Sequence, residues 1–496
     1  MCSICNDPND EHREYVNHSL SRRDLLRSGA AAIAAAAAFA QAPASAQAPA
    51  GGQAPAGGQA PAGAARGGPP PGGAMGPPGQ QVIFWGQGGT PELAAQVEAE
   101  RQTTSRTAGT RFRAHIRYRG NLSYETLTLK PIHPLQVVIR NQAVQTCYTG
   151  NWQLNFMRSQ NGGEAIQTGH GGVGVVIDVG TAVKRVKVGD QVIISATPQC
   201  GVCGNCLVGR GDSCLTRLPS IASATMSDNT PVYMTSRPMG PGGNAELLVS
   251  EEDWVVPIFT RVSPAELSIL GCPSAVGLGL AVCRFPVEAG TDVAVFGLGA
   301  MGLGAVQGAR IQGARAIIGI DPIRYRRDLA LKLGATQVLD PNEHRGVALA
   351  AKIRELTPSP VPAGRRYANE RAAGVLYALE GTAGAQYPLA PGIEAPPEEN
   401  LVQQIYTSVR NGGYMKLGGT PPGSLTGINV GNKVVIGGNF LGINVLTDLP
   451  RFVHMIERGQ FDAKSMIGRT YRFDQSQEAM VAVSNRSVIT TVIDFT

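Results

Sequence analysis

The stretch that most constrains this chain is C-G-V-C-G-N-C-L-V-G-R-G-D-S-C, residues 200–214. In it Cys200, Cys203, Cys206 and Cys214 follow the spacing C-x2-C-x2-C-x7-C. Four thiolates this close can enclose one tetrahedral Zn²⁺ and leave no position open, which is the chemistry of a structural site. The lobe has little apolar content, so the metal must supply its folding energy, on the order of 10–16 kcal/mol in small zinc modules. Two disulfides, or surface cysteines without a role, are the alternative. Four closely spaced cysteines in a glycine-rich loop fit a metal better.

A second motif lies downstream, D-V-A-V-F-G-L-G-A-M-G at 292–302. A strand over 292–296 runs into Gly297-x-Gly299-x-x-Gly302, a helix follows, and a second strand over 317–320 ends at Asp321. That context makes G-x-G-x-x-G a dinucleotide fingerprint. The glycines let backbone N–H groups approach a pyrophosphate at a helix N-terminus. Asp321 is expected to accept from the adenosine ribose hydroxyls and to repel a 2′-phosphate, which favours NAD over NADP. Arg324, Arg326 and Arg327 read as a solvated helix face.

Between residue 111 and the cysteine lobe the chain alternates as short strands, at 112–118, 124–129, 135–144, 172–179 and 191–195. Q-T-C-Y-T-G-N-W carries Cys147, and G-H-G-G carries His170. Cys272 precedes an apolar, helix-like stretch. With these residues in register, the chain resembles the zinc-containing medium-chain alcohol dehydrogenases over roughly residues 111 to 496.

The resemblance implies an α/β chain: a GroES-like, β-rich catalytic domain and a Rossmann domain with a doubly wound parallel sheet. It also implies a catalytic zinc on Cys147, His170 and Cys272, so two Zn²⁺ per chain. A Cys₂His set leaves the fourth position open, where Lewis acidity lowers the pKa of an alcohol. Thr149 matches the hydroxyl that binds the substrate oxygen and starts proton removal. Three positions depart from the family pattern. Gly171 stands where an acidic residue follows the histidine, Gly150 where an Asp follows the threonine, and Trp152 where a relay His is common. Losses around a metal site cost 10–100-fold in affinity or activity. Ala196 replaces a bulky pocket aromatic, which implies a substrate larger than ethanol.

The N-terminus reads as a twin-arginine export signal, with S-R-R-D-L-L-R, a short alanine-rich run and A-S-A before Gln47. The run is too short and too weakly apolar for a ~30 Å membrane core. The repeat Q-A-P-A-G-G then marks a disordered tether. The expected organisation is signal 1–46, linker 47–80, extension 81–110 with a short helix at 91–102, catalytic domain 111–273, Rossmann domain 274–438, and a return to the catalytic domain at 439–496. Residues 384–400 read as a proline-rich surface insertion. At 496 residues there is room for two or three domains. The net charge of +6 is mild and spread out, which speaks against nucleic acid.

The functional expectation is an exported oxidoreductase that passes hydride between a small alcohol or aldehyde and NAD. Outside the cytoplasm no pool of free nicotinamide replaces spent cofactor. NAD is therefore expected to be loaded before export and kept bound, with an electron-transfer partner or second substrate taking the hydride. An aldehyde dismutase or nicotinoprotein of the same fold is the alternative enzyme. A catalytically impaired zinc- and nucleotide-binding relative is the alternative of another class. The family implies a homodimer or homotetramer.

Overall fold

The computed structural model describes residues 91–496 apart from 104, 149–163, 216–220, 237–239, 359–372, 383–400, 420–429 and 438. The export signal, Thr149, Gly150, Trp152 and the proline-rich insertion lie outside the described residues.

The β-rich half begins with two long strands, Arg111–Tyr118 and Asn121–Leu129, paired antiparallel through their whole length. With Ala224–Thr225, Pro231–Tyr233 and Ala165–Gln167 they close a small barrel. Alternation along the first strand turns Phe112, Ala114 and Ile116 inward onto Leu127, Leu129 and Val232, while His115 and Arg117 on its other face are buried as well. A seven-stranded sheet continues from the barrel, with Gln136–Thr146 at its centre. Gly172–Val179, Leu247–Glu251 and Thr490–Asp494 all pair with that central strand. The C-terminal strand therefore closes the catalytic half.

The second half is a six-stranded parallel sheet. Its spatial order is Gln337–Leu339, Ala316–Ile320, Asp292–Phe296, Val375–Glu380, Val409–Leu417, Val434–Gly437. That is the order 3-2-1-4-5-6 of a doubly wound nucleotide fold, whose crevice opens where the order reverses, beside Asp292–Phe296. The central strand D-V-A-V-F is buried along its whole length, because helices cover both faces of a parallel sheet. The predicted strands over 292–296 and 317–320 agree with this sheet to within a residue.

One apolar core joins the two halves. Ala143, Val173, Ile193 and Val492 of the catalytic sheet share it with Val293, Val295 and Tyr377 of the parallel sheet and with Leu303 of the helix Ala300–Ile311. Helix Pro273–Val282 runs through this core with all ten residues buried. A β-carbon on its Gly277 would lie 1.8 Å from the carbonyl oxygen of Met301, so helix Ala300–Ile311 packs backbone against backbone there. The other end of the buried helix is capped by Lys416, whose Nζ donates to the carbonyls of Leu280, Cys283 and Phe285 at 2.5, 2.9 and 3.1 Å. Burial lowers that amine to about 8.

The extension before residue 111 is docked on the barrel. Its helix, expected over 91–102, covers Pro91–Ala99. Lys130 reaches Glu98 at 2.6 Å, Arg101 donates to the carbonyl of Pro131 at 2.7 Å, and Thr107 donates twice to Asp178. Among the described residues no single helix is long and apolar enough to cross a membrane.

Candidate metal centres and dinucleotide crevice

Three distant segments converge at the boundary between the halves. Cys147 directly follows the central strand Gln136–Thr146. His170 sits on the turn between Ala165–Gln167 and Gly172–Val179. Cys272 is the N-cap of the buried helix, with Pro273 at its first position. One ligand atom from each lies within 4.8 Å of the others, and the two sulfurs are 4.0 Å apart.

The donor set fits a metal. His170 is 4% exposed and its Nε2 has no hydrogen-bond partner, and a buried polar atom left so needs an explanation. The Cys272 thiol is held well above the ordinary cysteine range, first by its hydrogen bond with Cys147 and then by burial. A cation between the sulfurs inverts that logic, since a coordinating thiol is deprotonated outright. Zn–S bonds of about 2.3 Å in a tetrahedron set sulfurs about 3.8 Å apart, close to the observed separation.

The turn around His170 explains one departure from the family pattern. Gly171 has φ +71°, and a β-carbon on it would stand 3.1 Å from the backbone of Gly271. An acidic side chain is disfavoured there by backbone conformation and by the close approach of the segment that carries Cys272. Ala196 belongs to the same junction, its N–H donating to the carbonyl of Gly271 at 2.9 Å.

The four lobe cysteines also converge, with all four sulfurs within 4.8 Å of one another. Cys200 and Cys206 are 3.9 Å apart, and Cys203 and Cys214 4.0 Å. These separations suit a tetrahedral ion and are about twice an S–S bond of ~2.05 Å. Backbone N–H groups point at the sulfurs: Cys203 to Cys200 at 3.2 Å, Cys200 to Cys214 at 3.3 Å, Leu215 to Cys203 at 3.4 Å. The Leu215 N–H in particular draws the Cys203 thiol down to about 6.

The lobe is held on both sides. Arg185 donates to the carbonyls of Gln199 and Cys200 at 2.8 and 2.9 Å. Asp212 accepts from Gly442 N–H at 3.1 Å and from Arg284 at 3.3 Å. Gln199 bonds the side chain of Asn444 and the N–H of Leu446. Reading by motif passed over Asp212, although its place between two ligand cysteines marks it.

In the dinucleotide loop Gly302 is fixed by space alone. A β-carbon on it would lie 1.6 Å from the carbonyl oxygen of Gly297. Gly299 is the N-cap of helix Ala300–Ile311. Asp321, at the end of the next strand, is 3% exposed. Its carboxylate accepts from the N–H groups of Leu298 and Ile323, both at 2.8 Å, and burial raises its pKa.

The reading of a solvated arginine face needs correction. Of the three arginines only Arg324 is exposed, with 87% of its side chain accessible. Arg326 is buried, 3.9 Å from Asp321, and Arg327 bonds the carbonyl of Asp321 and the carboxylate of Asp340. Helix Arg324–Leu333 lies against the sheet with that side, which the run of charges in R-Y-R-R-D conceals. Tyr325 reaches further, donating to the carbonyl of Arg486 at 2.8 Å, and the Arg486 guanidinium donates to Tyr148 at 3.1 Å. The acidic end of the crevice is thereby joined to the residue after Cys147.

Residues 133–260 match the family model of the alcohol dehydrogenase GroES-like domain, and residues 300–458 match that of the zinc-binding dehydrogenases. Together the two matches span more than half of the chain. S-(hydroxymethyl)glutathione dehydrogenase from Haemophilus influenzae is 31% identical over 42% of this chain and 56% of its own length. The protein of that name from Candida maltosa is 31% identical over 48% and 63%. The chain thus matches less than two thirds of these curated relatives. Among solved structures, an alcohol dehydrogenase zinc-binding domain protein from Burkholderia ambifaria superposes with a TM-score of 0.62 at 24% identity, over 78% of this chain and 99% of that one. Benzyl alcohol dehydrogenase from Acinetobacter calcoaceticus gives 0.61 at 22%, over 78% and 100%. These likenesses show the fold, a GroES-like domain joined to a Rossmann domain.

Proposed function

This chain belongs to the zinc-containing alcohol dehydrogenase family, and from that premise we propose that it is an oxidoreductase passing hydride between an alcohol or aldehyde and NAD. The observation that carries the reading is the meeting of Cys147, His170 and Cys272 within 4.8 Å, with the histidine Nε2 unpartnered. Cys147, His170 and Cys272 would hold the catalytic zinc, and Cys200, Cys203, Cys206 and Cys214 the structural one. When bound, the metal supplies Lewis acidity to a substrate oxygen and the nicotinamide supplies the hydride carrier.

The chain's own residues do the rest. Gly297, Gly299 and Gly302 let the backbone approach the pyrophosphate. Asp321 fixes the loop through Leu298 and turns its charge against a 2′-phosphate. Thr149 is assigned the substrate hydroxyl contact and the first proton transfer. The methyl of Ala196, anchored beside Gly271, supports a substrate broader than ethanol. Gly171 does not speak for lost catalysis, because the approach of Gly271 accounts for it.

The paired arginines and alanine-rich run near the N-terminus support export through the twin-arginine route. That route carries folded proteins, which suits thiols that must meet zinc before an oxidising compartment. We further propose that NAD is loaded before export and stays bound, the hydride leaving to a second substrate or an electron-transfer partner. The test is to purify the protein from the periplasm without added cofactor, denature it and assay the supernatant for NAD(H). Near-stoichiometric release, with alcohol oxidation by an artificial dye and no added NAD, is the expected result. Empty protein that turns over only with free NAD⁺ would leave an ordinary dehydrogenase.

A further inference from the structure

Glu380 ends the strand Val375–Glu380, the neighbour of Asp292–Phe296 on the side where the strand order reverses. It is 0% exposed. A carboxylate buried so completely must be compensated by hydrogen bonds, and this one is spent on the loops beside it. One oxygen accepts from the N–H of Thr382 at 2.6 Å and from the Thr382 hydroxyl. The other accepts from the N–H of Gly419 at 2.8 Å. Gly419 follows the next strand, Val409–Leu417. Both oxygens therefore fasten backbone at the carboxyl ends of two adjacent strands, the edge along which ligands bind in this fold.

The two fastened loops touch each other and the dinucleotide loop. A β-carbon on Gly419 would lie 1.5 Å from the carbonyl oxygen of Thr382. One on Gly297 would lie 2.8 Å from the Thr382 methyl. Thr382 thus rests on the first glycine of the fingerprint and is held from behind by Glu380. Asp321 lies across the first strand, on the adenosine side. The strands fastened by Glu380 belong to the other mononucleotide half.

We infer that Glu380 is a positioning residue for the nicotinamide half of the crevice, shaping it independently of the adenosine half. This rests on the reading of the crevice as a dinucleotide site. Removing the carboxylate releases two backbone N–H groups and lets Thr382 and Gly419 move, while the contacts of Asp321 and Gly302 stay in place. NADH, which needs both halves, weakens. AMP, which needs one, does not.

The experiment compares wild type, Glu380→Ala and the nearly isosteric Glu380→Gln, titrating NADH by fluorescence and AMP by calorimetry on cofactor-stripped protein. Glu380→Ala is expected to lose on the order of tenfold or more in NADH affinity, the scale of a lost charge-assisted hydrogen bond, and to keep AMP affinity within about twofold. Glu380→Gln keeps the volume but presents an amide donor to an N–H, so its NADH to AMP affinity ratio falls as well; it also serves if the alanine variant fails to fold. Parallel loss of both ligands would reduce Glu380 to a fold-stabilising residue and overturn the inference, as would unchanged NADH binding. Wild type that binds neither NADH nor AMP overturns the dinucleotide reading itself, a different outcome from either of these.

Discussion

Cys147 and Cys272 stand 125 positions apart in the chain, and their sulfurs stand 4.0 Å apart in space. The relationship joins the end of the central catalytic strand to the start of the buried helix, with His170 closing the triangle. His170→Ala or Cys272→Ser is expected to lose turnover and one of two zincs while NADH binding stays within about twofold, since the fingerprint glycines lie on another loop. Metal content and NADH fluorescence on the same sample check this. A variant that keeps both zincs would place the metal elsewhere.

The cysteine lobe is expected to behave differently. Cys203→Ser leaves an incomplete tetrahedron and forfeits much of a metal contribution on the order of ten kcal/mol. Asp212 and Gln199 tie the lobe to Gly442 and Leu446, so the damage should spread to the segment beyond residue 439. Insolubility, or lost amide-exchange protection in both segments, is the predicted outcome. A soluble variant with wild-type melting and activity would remove the structural role.

The proposed preference for NAD rests on the pair Asp321 and Arg326, 3.9 Å apart. Asp321→Gly, with Arg326 kept, should shift the NAD to NADP affinity ratio towards NADP by about tenfold or more. Arg326→Ala should shift it the other way. Competition binding with both dinucleotides measures the ratio. Equal affinity in wild type would mean that Asp321 does not discriminate.

His115 sets an acid limit to stability. It is 0% exposed, its Nδ1 lies 2.8 Å from the Thr168 hydroxyl, and burial lowers its pKa to about 4. The unfolded chain takes up this proton near the ordinary value of 6.5 while the folded chain refuses it until about 4. Folding stability from this residue is complete above that window and falls through it as pH drops, by about 1.4 kcal/mol per unit. His115→Gln should flatten the stability profile between pH 6.5 and 4 relative to wild type, as read by denaturant unfolding. Parallel profiles would show that His115 titrates normally.

Much of this is legible in the sequence. Alternating strands, the cysteine spacing and the glycine fingerprint are local patterns, so Gln136–Thr146, the lobe and Asp292–Phe296 fall where the sequence puts them. What escaped is what depends on distant backbone. Gly171 looks like a missing acid until Gly271 is seen against it. Lys416 and Glu380 look like ordinary charged residues at strand ends, and only the fold shows them buried among carbonyls and N–H groups. Arg326 and Arg327 share a charged run with solvated Arg324, and helix orientation decides which of them is buried.

The most direct test of the central claim is the metal count of the native protein by mass spectrometry under non-denaturing conditions. An enzyme built on Cys147, His170 and Cys272 beside the four-cysteine lobe carries two zincs per chain, and His170→Ala carries one. A wild-type chain holding a single zinc, unchanged in His170→Ala, would leave only the structural site and contradict the account.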